Sequence, residues 1–177
     1  MHVAVIGTYP PTRCGIATFT ADVEMALTDA GVTVTVVPID PDPTCEVTNV
    51  AAIRSEDRAT YAGAARWLNN SGVDLVLVEH EFGIHGGPDG SFLLDLTNAL
   101  TVPYVVTLHT VLTEFSASQS ATLEALCSRA AAVTVFTATA RRMVMEQELA
   151  RSQAITIVPH GAPVELYRPT GRSLRDE

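Results

Sequence analysis

The chain contains no lysine, and all 11 of its basic residues are arginines, set against 20 acidic residues. The absence of lysine excludes Schiff-base chemistry and the phosphate-binding lysine of a P-loop. The formal net charge is -9, and the arginines form no cluster long enough to give a basic face. A nucleic-acid partner is therefore not expected, and binding to anionic membranes is disfavoured.

Cysteine is scarce, and long hydrophobic runs are missing. The three cysteines, Cys14, Cys45 and Cys127, lie far apart and form no C-x-x-C pair. This spacing argues against a disulfide framework and against a cysteine-rich zinc site. The apolar runs have strand length, well short of a membrane span, and residues 3–6 open the chain without a basic segment before them. A cytoplasmic location is the resulting expectation.

Apolar residues are plentiful, and their pattern alternates between two periods. Hydrophobic residues make up 47% of the chain and charged residues 18%, which suits one well-packed domain. Short β-branched runs predict strands at residues 3–6, 32–37, 73–78, 104–108, 132–136 and 155–158. Between these runs, apolar residues at helical spacing predict helices near Ile16, at residues 58–69, near Phe92, near Leu123 and at residues 139–150. The alternation predicts an α/β fold, a Rossmann-like parallel sheet of about six strands with helices on both faces.

Polar residues gather where the predicted strands end. Four of the five histidines, His80, His85, His109 and His160, lie at or just after such ends. Ligands of open parallel sheets bind beyond the carboxyl ends of the strands. We therefore expect these residues to share one cleft.

The loop after the first strand runs from Gly7 to Gly15 and is not a G-x-G-x-x-G fingerprint. It nevertheless ends at a helix start, where Gly15 and Ile16 would present unpaired backbone N–H groups beside Arg13. The sequence predicts a diphosphate site there. The alternative is a glycine needed only for a tight turn.

The segment His80-Glu81-x-x-x-His85 invites a metal interpretation. Together with Glu79, His109 and His160 it would supply the ligands of a metal-dependent hydrolase. The spacing differs from H-E-x-x-H and the segment is glycine-rich, so this stays an alternative.

Four ordered motifs carry a resemblance. They are Pro-Pro-Thr-Arg-Cys-Gly-Ile-Ala-Thr-Phe at residues 10–19, His-Glu-Phe-Gly-Ile at 80–84, Thr-Leu-His-Thr at 107–110 and Pro-His-Gly at 159–161. With these four motifs the chain resembles the N-terminal half of the GT-B-fold retaining glycosyltransferases of family 4. The resemblance implies an N-terminal, acceptor-side domain at residues 1–168 and the start of an interdomain linker at 169–177. No donor motif is readable, so the C-terminal donor-binding domain is expected to be absent.

The resemblance also implies roles. The catalytic residue would be His109, touching the transferred sugar. The donor diphosphate and sugar would meet Arg13, Gly15 and Ile16, although Cys14 stands where many relatives have a second glycine. The residues expected to line the acceptor cleft are His80, Glu81, Gly83, Thr110, His160 and Gly161.

The implied reaction moves a hexose from a nucleotide-sugar donor to an acceptor of unknown identity, whether a sugar, a lipid-linked group or a small molecule. No metal and no cofactor are expected besides the nucleotide-diphosphate sugar, which is a substrate. The isolated chain is expected to be inactive without the missing domain. A non-catalytic nucleotide- or sugar-binding module is the remaining alternative.

Overall fold

The computed structural model describes residues 1–45, 47 and 50–161, and these form one six-stranded parallel sheet. The strand order is β2-β1-β3-β4-β5-β6. The strands are β1 (His2–Gly7), β2 (Thr33–Pro38), β3 (Leu75–His80), β4 (Tyr104–Leu108), β5 (Ala132–Val135) and β6 (Ile155–Ile157). The predicted Rossmann-like α/β fold is confirmed.

In the part of the chain that the structure describes, five α-helices connect the strands. They are α1 (Gly15–Asp29), α2 (Arg58–Asn70), α3 (Leu93–Ala99), α4 (Ala117–Arg129) and α5 (Ala138–Glu146). Most begin at a polar cap that accepts a backbone N–H, as Ser116 does for α4 in a full capping box with Gln119. Helix α5 ends four residues before the predicted Ala150, because the backbone at Glu148 has a positive φ of 56° that no helix continues through.

The main core cluster lies on one face of the sheet, and strand residues such as Val5 are buried on the other face. Central strand residues such as Ala4, Ile6, Val76 and Val106 are fully buried. Helix residues such as Leu68, Leu93 and Leu123 cover them. Continuous β-branched runs suit strands that are covered on both sides, which is why these runs predicted the sheet.

The strand order reverses between β1 and β3. From β1 the chain moves to β2 at one edge, and later returns to place β3 on the other side of β1. Connections therefore leave these two strands in opposite directions, and a crevice opens at their carboxyl ends. The loops after β1, β3 and β4 border this crevice.

Residues 162–177 lie outside the described part of the chain, and they include the predicted linker 169–177 and the end of the predicted domain 1–168. Of the helices in the described part, none has the length and apolar character needed to cross a membrane.

Candidate functional site

The loop after β1 delivers the N-terminus of α1 to the crevice. Cys14 caps the helix in an extended conformation, and its Sγ accepts from the backbone N–H of Ala17 at 3.3 Å. The thiol also lies 3.0 Å from Oγ1 of Thr8, so the loop closes on itself. A cysteine here acts as a cap, as serine does elsewhere, and leaves the next residues facing outwards.

The predicted donor residues occupy that helix start. Arg13 and Gly15 are exposed and Ile16 is half-buried. The first N–H groups of a helix lack intrahelical acceptors, and those of Gly15 and Ile16 find none elsewhere in residues 1–45, 47 and 50–161. A Cβ built at Gly15 would meet no atom within 4 Å, so the backbone is open to a ligand. The geometry suits an anion, since the positive end of the helix dipole points there.

His109 follows β4 and lies in an aromatic cluster at the same edge, which we define as Phe19, His109, Phe136 and His160. The His109 ring meets Phe19 edge-on at 4.7 Å and Phe136 at 5.1 Å between centroids. Its backbone N–H donates to the carbonyl of His80 at 3.0 Å, which extends the β3–β4 pairing by one step. His109 also borders a cavity of about 270 Å³ lined mainly by apolar side chains such as Leu108 and Met143.

The His109 ring is paired with a buried carboxylate. Nε2 of His109 lies 2.8 Å from Oε2 of Glu79, and the two side chains are 8% and 2% exposed. In the parallel register Glu79 is opposite Thr107, two residues before His109, so both side chains share a face of the sheet.

Glu81, the residue after β3, forms a second wall of the crevice. Its carboxylate accepts from the backbone N–H of Phe82 at 3.0 Å and from the hydroxyl of Thr110. It caps a short 3₁₀ turn, Phe82–Ile84, in which Gly83 is exposed. The structure thus brings together Glu81 and Thr110, as expected for two cleft residues, and leaves half-buried carboxylate oxygens available to hydroxyl groups.

His80 does not line the crevice, which corrects our expectation. Its ring is fully buried against Phe82, at 4.9 Å and nearly perpendicular, and beside His85 at 6.0 Å. Burial, with the neighbouring His85 and His109, lowers the pKa of His80 to about 3. Neither ring nitrogen of His80 has a partner in the described part of the chain. As the last residue of a central strand it points into the core beneath the loop that follows, so it belongs to the packing.

His85 is also buried. Burial lowers the pKa of His85 to about 4, opposed by its bond to the Glu79 carbonyl, to which its Nε2–H donates at 3.3 Å. The next residue, Gly86, donates its N–H to the hydroxyl of Tyr61 at 3.0 Å. These contacts fix the loop that carries Glu81.

His160 and Gly161 are exposed at the last described positions. The His160 ring lies 5.2 Å from Phe19 and 4.9 Å from Phe136, and its Nδ1–H donates to the Gly161 carbonyl at 2.7 Å. Phe19 and Phe136 therefore contact both His109 and His160, and the two predicted histidines meet through one aromatic cluster.

The metal-dependent alternative finds no site in this geometry. Within residues 1–45, 47 and 50–161, no group of three or more His, Cys, Asp or Glu side chains is placed to hold a metal ion. His80 and His85 are buried, whereas His160 is exposed.

Sequence reasoning missed the roles of Glu79, Phe19 and Phe136 in this arrangement. The helical spacing of Phe19 and the position of Phe136 in a strand run indicated core residues. From the sequence we considered Glu79 only as a metal ligand, yet a signal for its pairing with His109 existed. Glu79 is a lone carboxylate in an apolar strand, and the parallel register of β3 and β4 places it on the same face as His109. Buried carboxylates need a partner, and the nearest strand-end histidine supplies it.

The match to a known family covers most of the chain. The model of Glycosyltransferase Family 4 matches residues 14–166. The chain belongs to glycosyltransferase family 4. The match begins at the cap of α1 and includes His109 and His160, so it spans the crevice just described. No curated protein matches the chain.

Solved glycosyltransferases share the fold. A glycosyltransferase from Rickettsia africae ESF-5 aligns with a TM-score of 0.65 at 13% identity, over 98% of this chain and 46% of that one. An alpha-glucosyltransferase in complex with UDP and a 13-mer DNA containing a HMU base aligns with a TM-score of 0.60 at 16% identity, over 96% and 45%. An alpha-glucosyltransferase in complex with UDP-glucose and DNA containing an abasic site aligns with a TM-score of 0.58 at 15% identity, over 92% and 43%. The chain thus spans less than half the length of these proteins, and it matches the Rossmann-like half of a GT-B fold.

Proposed function

We propose that this chain is the acceptor-side domain of a retaining glycosyltransferase that moves a hexose from a nucleotide-diphosphate sugar to an acceptor. The observation that carries the proposal is a convergence at one crevice. The open helix start at Gly15, the Glu79–His109 pair and the Glu81–Thr110 pair all border the carboxyl ends of β1, β3 and β4. Family membership and the solved structures with UDP or UDP-glucose support the same chemistry.

The donor leaves negative charge on its diphosphate as the glycosidic bond breaks. The free N–H groups of Gly15 and Ile16, with the exposed Arg13 guanidinium, would stabilise that charge. His109 would contact a hydroxyl of the transferred sugar or of the acceptor. No cofactor is needed, since the leaving group is already activated as a phosphate ester.

The acceptor would meet the wall formed by Glu81 and Thr110, with His160 and Gly161 at its rim. The Glu81 carboxylate is half-buried and held by two donors, so it is oriented before a ligand arrives. A carboxylate that faces hydroxyl donors suits a polyhydroxylated acceptor such as a sugar. We propose no nucleic-acid acceptor, because the net charge of -9 opposes binding to phosphate backbones.

The test uses a polypeptide that carries this chain followed by the expected donor-binding domain. Release of nucleoside diphosphate from a panel of nucleotide hexoses is measured with and without candidate sugars, and a DNA duplex is included as an acceptor. Sugar-dependent turnover with an anomerically retained product supports the proposal. Binding of sugars without any transfer favours the non-catalytic module, and transfer to DNA contradicts the expected partner.

A further inference from the structure

The carboxylate of Glu79 lies at the end of β3, almost sealed from solvent, and its nearest polar partner is the His109 ring. Oε2 and Nε2 are 2.8 Å apart, and only 2% of the Glu79 side chain is exposed. Burying a carboxylate costs several kcal/mol unless a hydrogen bond compensates it. A hydrophobic residue would pack at this strand position at no such cost, so the position calls for an explanation beyond packing.

The surroundings fix both partners. A Cβ at Gly7 would lie 3.4 Å from Cβ and Cγ of Glu79, so β1 packs directly along the glutamate stem. The His109 ring is held by the edges of Phe19 and Phe136 and by its backbone bond to His80. One ring nitrogen, Nε2, faces Glu79. The other, Nδ1, has no hydrogen-bond partner in the described part of the chain, and it is not among the nitrogens sealed from solvent there.

We propose that Glu79 is a positioning residue that fixes the tautomer of His109. An ionised carboxylate only accepts hydrogen bonds, so Nε2 must carry the proton. In the neutral ring Nδ1 is then an oriented acceptor, aimed at a hydroxyl donor in the crevice. This rests on the proposed function and sharpens it, because it makes His109 an acceptor from a sugar hydroxyl. Glu79 itself touches no substrate.

The neighbouring buried histidine does not compete for this role. His85 donates to the backbone carbonyl of Glu79 and leaves the carboxylate to His109. Thr107 supplies a matched control: it shares the sheet face with Glu79 and accepts a bond from the Thr134 hydroxyl at 2.9 Å, away from the pair. Thr107→Val and Glu79→Gln both keep the shape of the side chain on the same face. The first removes a hydroxyl group, and the second replaces the carboxylate by an amide.

The first test needs no substrate. Long-range ¹H–¹⁵N correlation of the 177-residue chain reports which nitrogen of His109 carries the proton. We expect only the Nε2–H form in the wild type and in Thr107→Val. An amide both donates and accepts, so Glu79→Gln should give a mixture of tautomers. A wild-type ring protonated on Nδ1, or a single unchanged tautomer in a folded Glu79→Gln, would overturn the proposal.

Thermal unfolding and circular dichroism accompany each spectrum. If Glu79→Gln fails to fold, the wild-type spectrum decides the matter, because the proposal stands only if the proton of His109 is on Nε2.

The second test concerns turnover in the active, longer polypeptide. We expect Glu79→Gln to lower kcat by about tenfold or more with little change in the donor KM, as for partners that orient a reacting group. Thr107→Val should leave kcat near the wild-type value. An equal loss in both variants would indicate general destabilisation and contradict positioning. If no variant and no wild type transfers sugar, the proposed function fails while the tautomer result stands by itself.

Discussion

The ring of Phe19 on α1 meets the ring of His109 after β4 edge-on, with their centroids 4.7 Å apart. Phe19 lies one turn inside the helix whose first residue is Gly15. The helix start that would hold the donor diphosphate is therefore packed directly against the histidine that would contact the sugar. Edge-to-face pairs of this kind have a preferred geometry, so a shift of α1 is felt at His109.

His109→Ala should lower turnover of the active protein by one to three orders of magnitude, the loss of one transition-state contact of about 2–4 kcal/mol. The substitution also leaves the Glu79 carboxylate buried without its partner, so the free energy of unfolding should fall by about 1–3 kcal/mol. Steady-state kinetics and urea unfolding measure the two effects. A folded variant with near-normal turnover would contradict the assigned role.

Two glycines of the first loop should respond in opposite ways to alanine. A Cβ at Gly7 would lie 2.5 Å from Oγ1 of Thr20, whose hydroxyl is held by the Ile16 carbonyl at 2.9 Å. Gly7→Ala should therefore cost about 1–3 kcal/mol by displacing α1. Gly15 has free space and no positive φ, so Gly15→Ala should leave stability within about 1 kcal/mol of the wild type.

The same Gly15→Ala variant tests donor binding, because its methyl group would stand where the diphosphate approaches the backbone. We expect the donor KM to rise by about tenfold or more while chemical unfolding stays unchanged. Unaltered donor kinetics would favour the alternative in which Gly15 serves only a tight turn.

Acid should destabilise the fold through its buried histidines. The native pKa values of His80 and His85 are lowered to about 3 and about 4 by burial, from 6.5 in the unfolded chain. Below pH 6.5 the unfolded chain binds protons that the native state does not. The contribution of these two histidines to the free energy of unfolding is therefore fully present above pH 6.5. It is lost as the pH drops towards their native pKa values, with a limiting slope of about 1.4 kcal/mol per pH unit for each histidine.

His80→Leu isolates this effect from the protonation of carboxylates. Both ring nitrogens of His80 lack partners in the described chain, so an apolar side chain of similar size should match or exceed the stability at pH 7. Urea unfolding between pH 7 and pH 4.5 should then show a shallower acid dependence than the wild type. Parallel pH dependences would contradict the burial of a neutral His80.

The 177-residue chain by itself should be folded but catalytically silent. Its described part contains a six-stranded sheet with a buried core, whereas catalysis by positioning needs both walls of a cleft. Calorimetry should detect weak or no nucleotide-sugar binding, and no transfer should occur until a donor-binding domain follows. Micromolar donor binding or robust transfer by this chain would overturn the half-enzyme interpretation.

The order and type of the elements could be predicted from the sequence, since they depend on local patterns. Runs such as residues 104–108 became strands, and the helical stripe near Ile16 became α1. The strand-end positions of Glu81, His109 and His160 followed from the same patterns, because parallel strands bring their carboxyl ends to one edge. The boundaries were less certain: β3 begins at Leu75, two residues after the predicted Val73, because its pairing with β1 begins there.

Only the tertiary structure decided what each strand-end residue does. Period-two alternation sends Glu79 and His80 to opposite faces, yet it does not tell which face is covered. The loop that carries Phe82 and His85 folds over His80 and buries it. The carboxylate of Glu79 instead pairs with the ring of His109, which lies 30 residues further along the chain, after β4. Sequence by itself determined that this is a parallel α/β domain with its polar groups at one edge, since those features follow from local periodicity. Burial and partnership depend on contacts between distant segments, and only the packed sheet settles them.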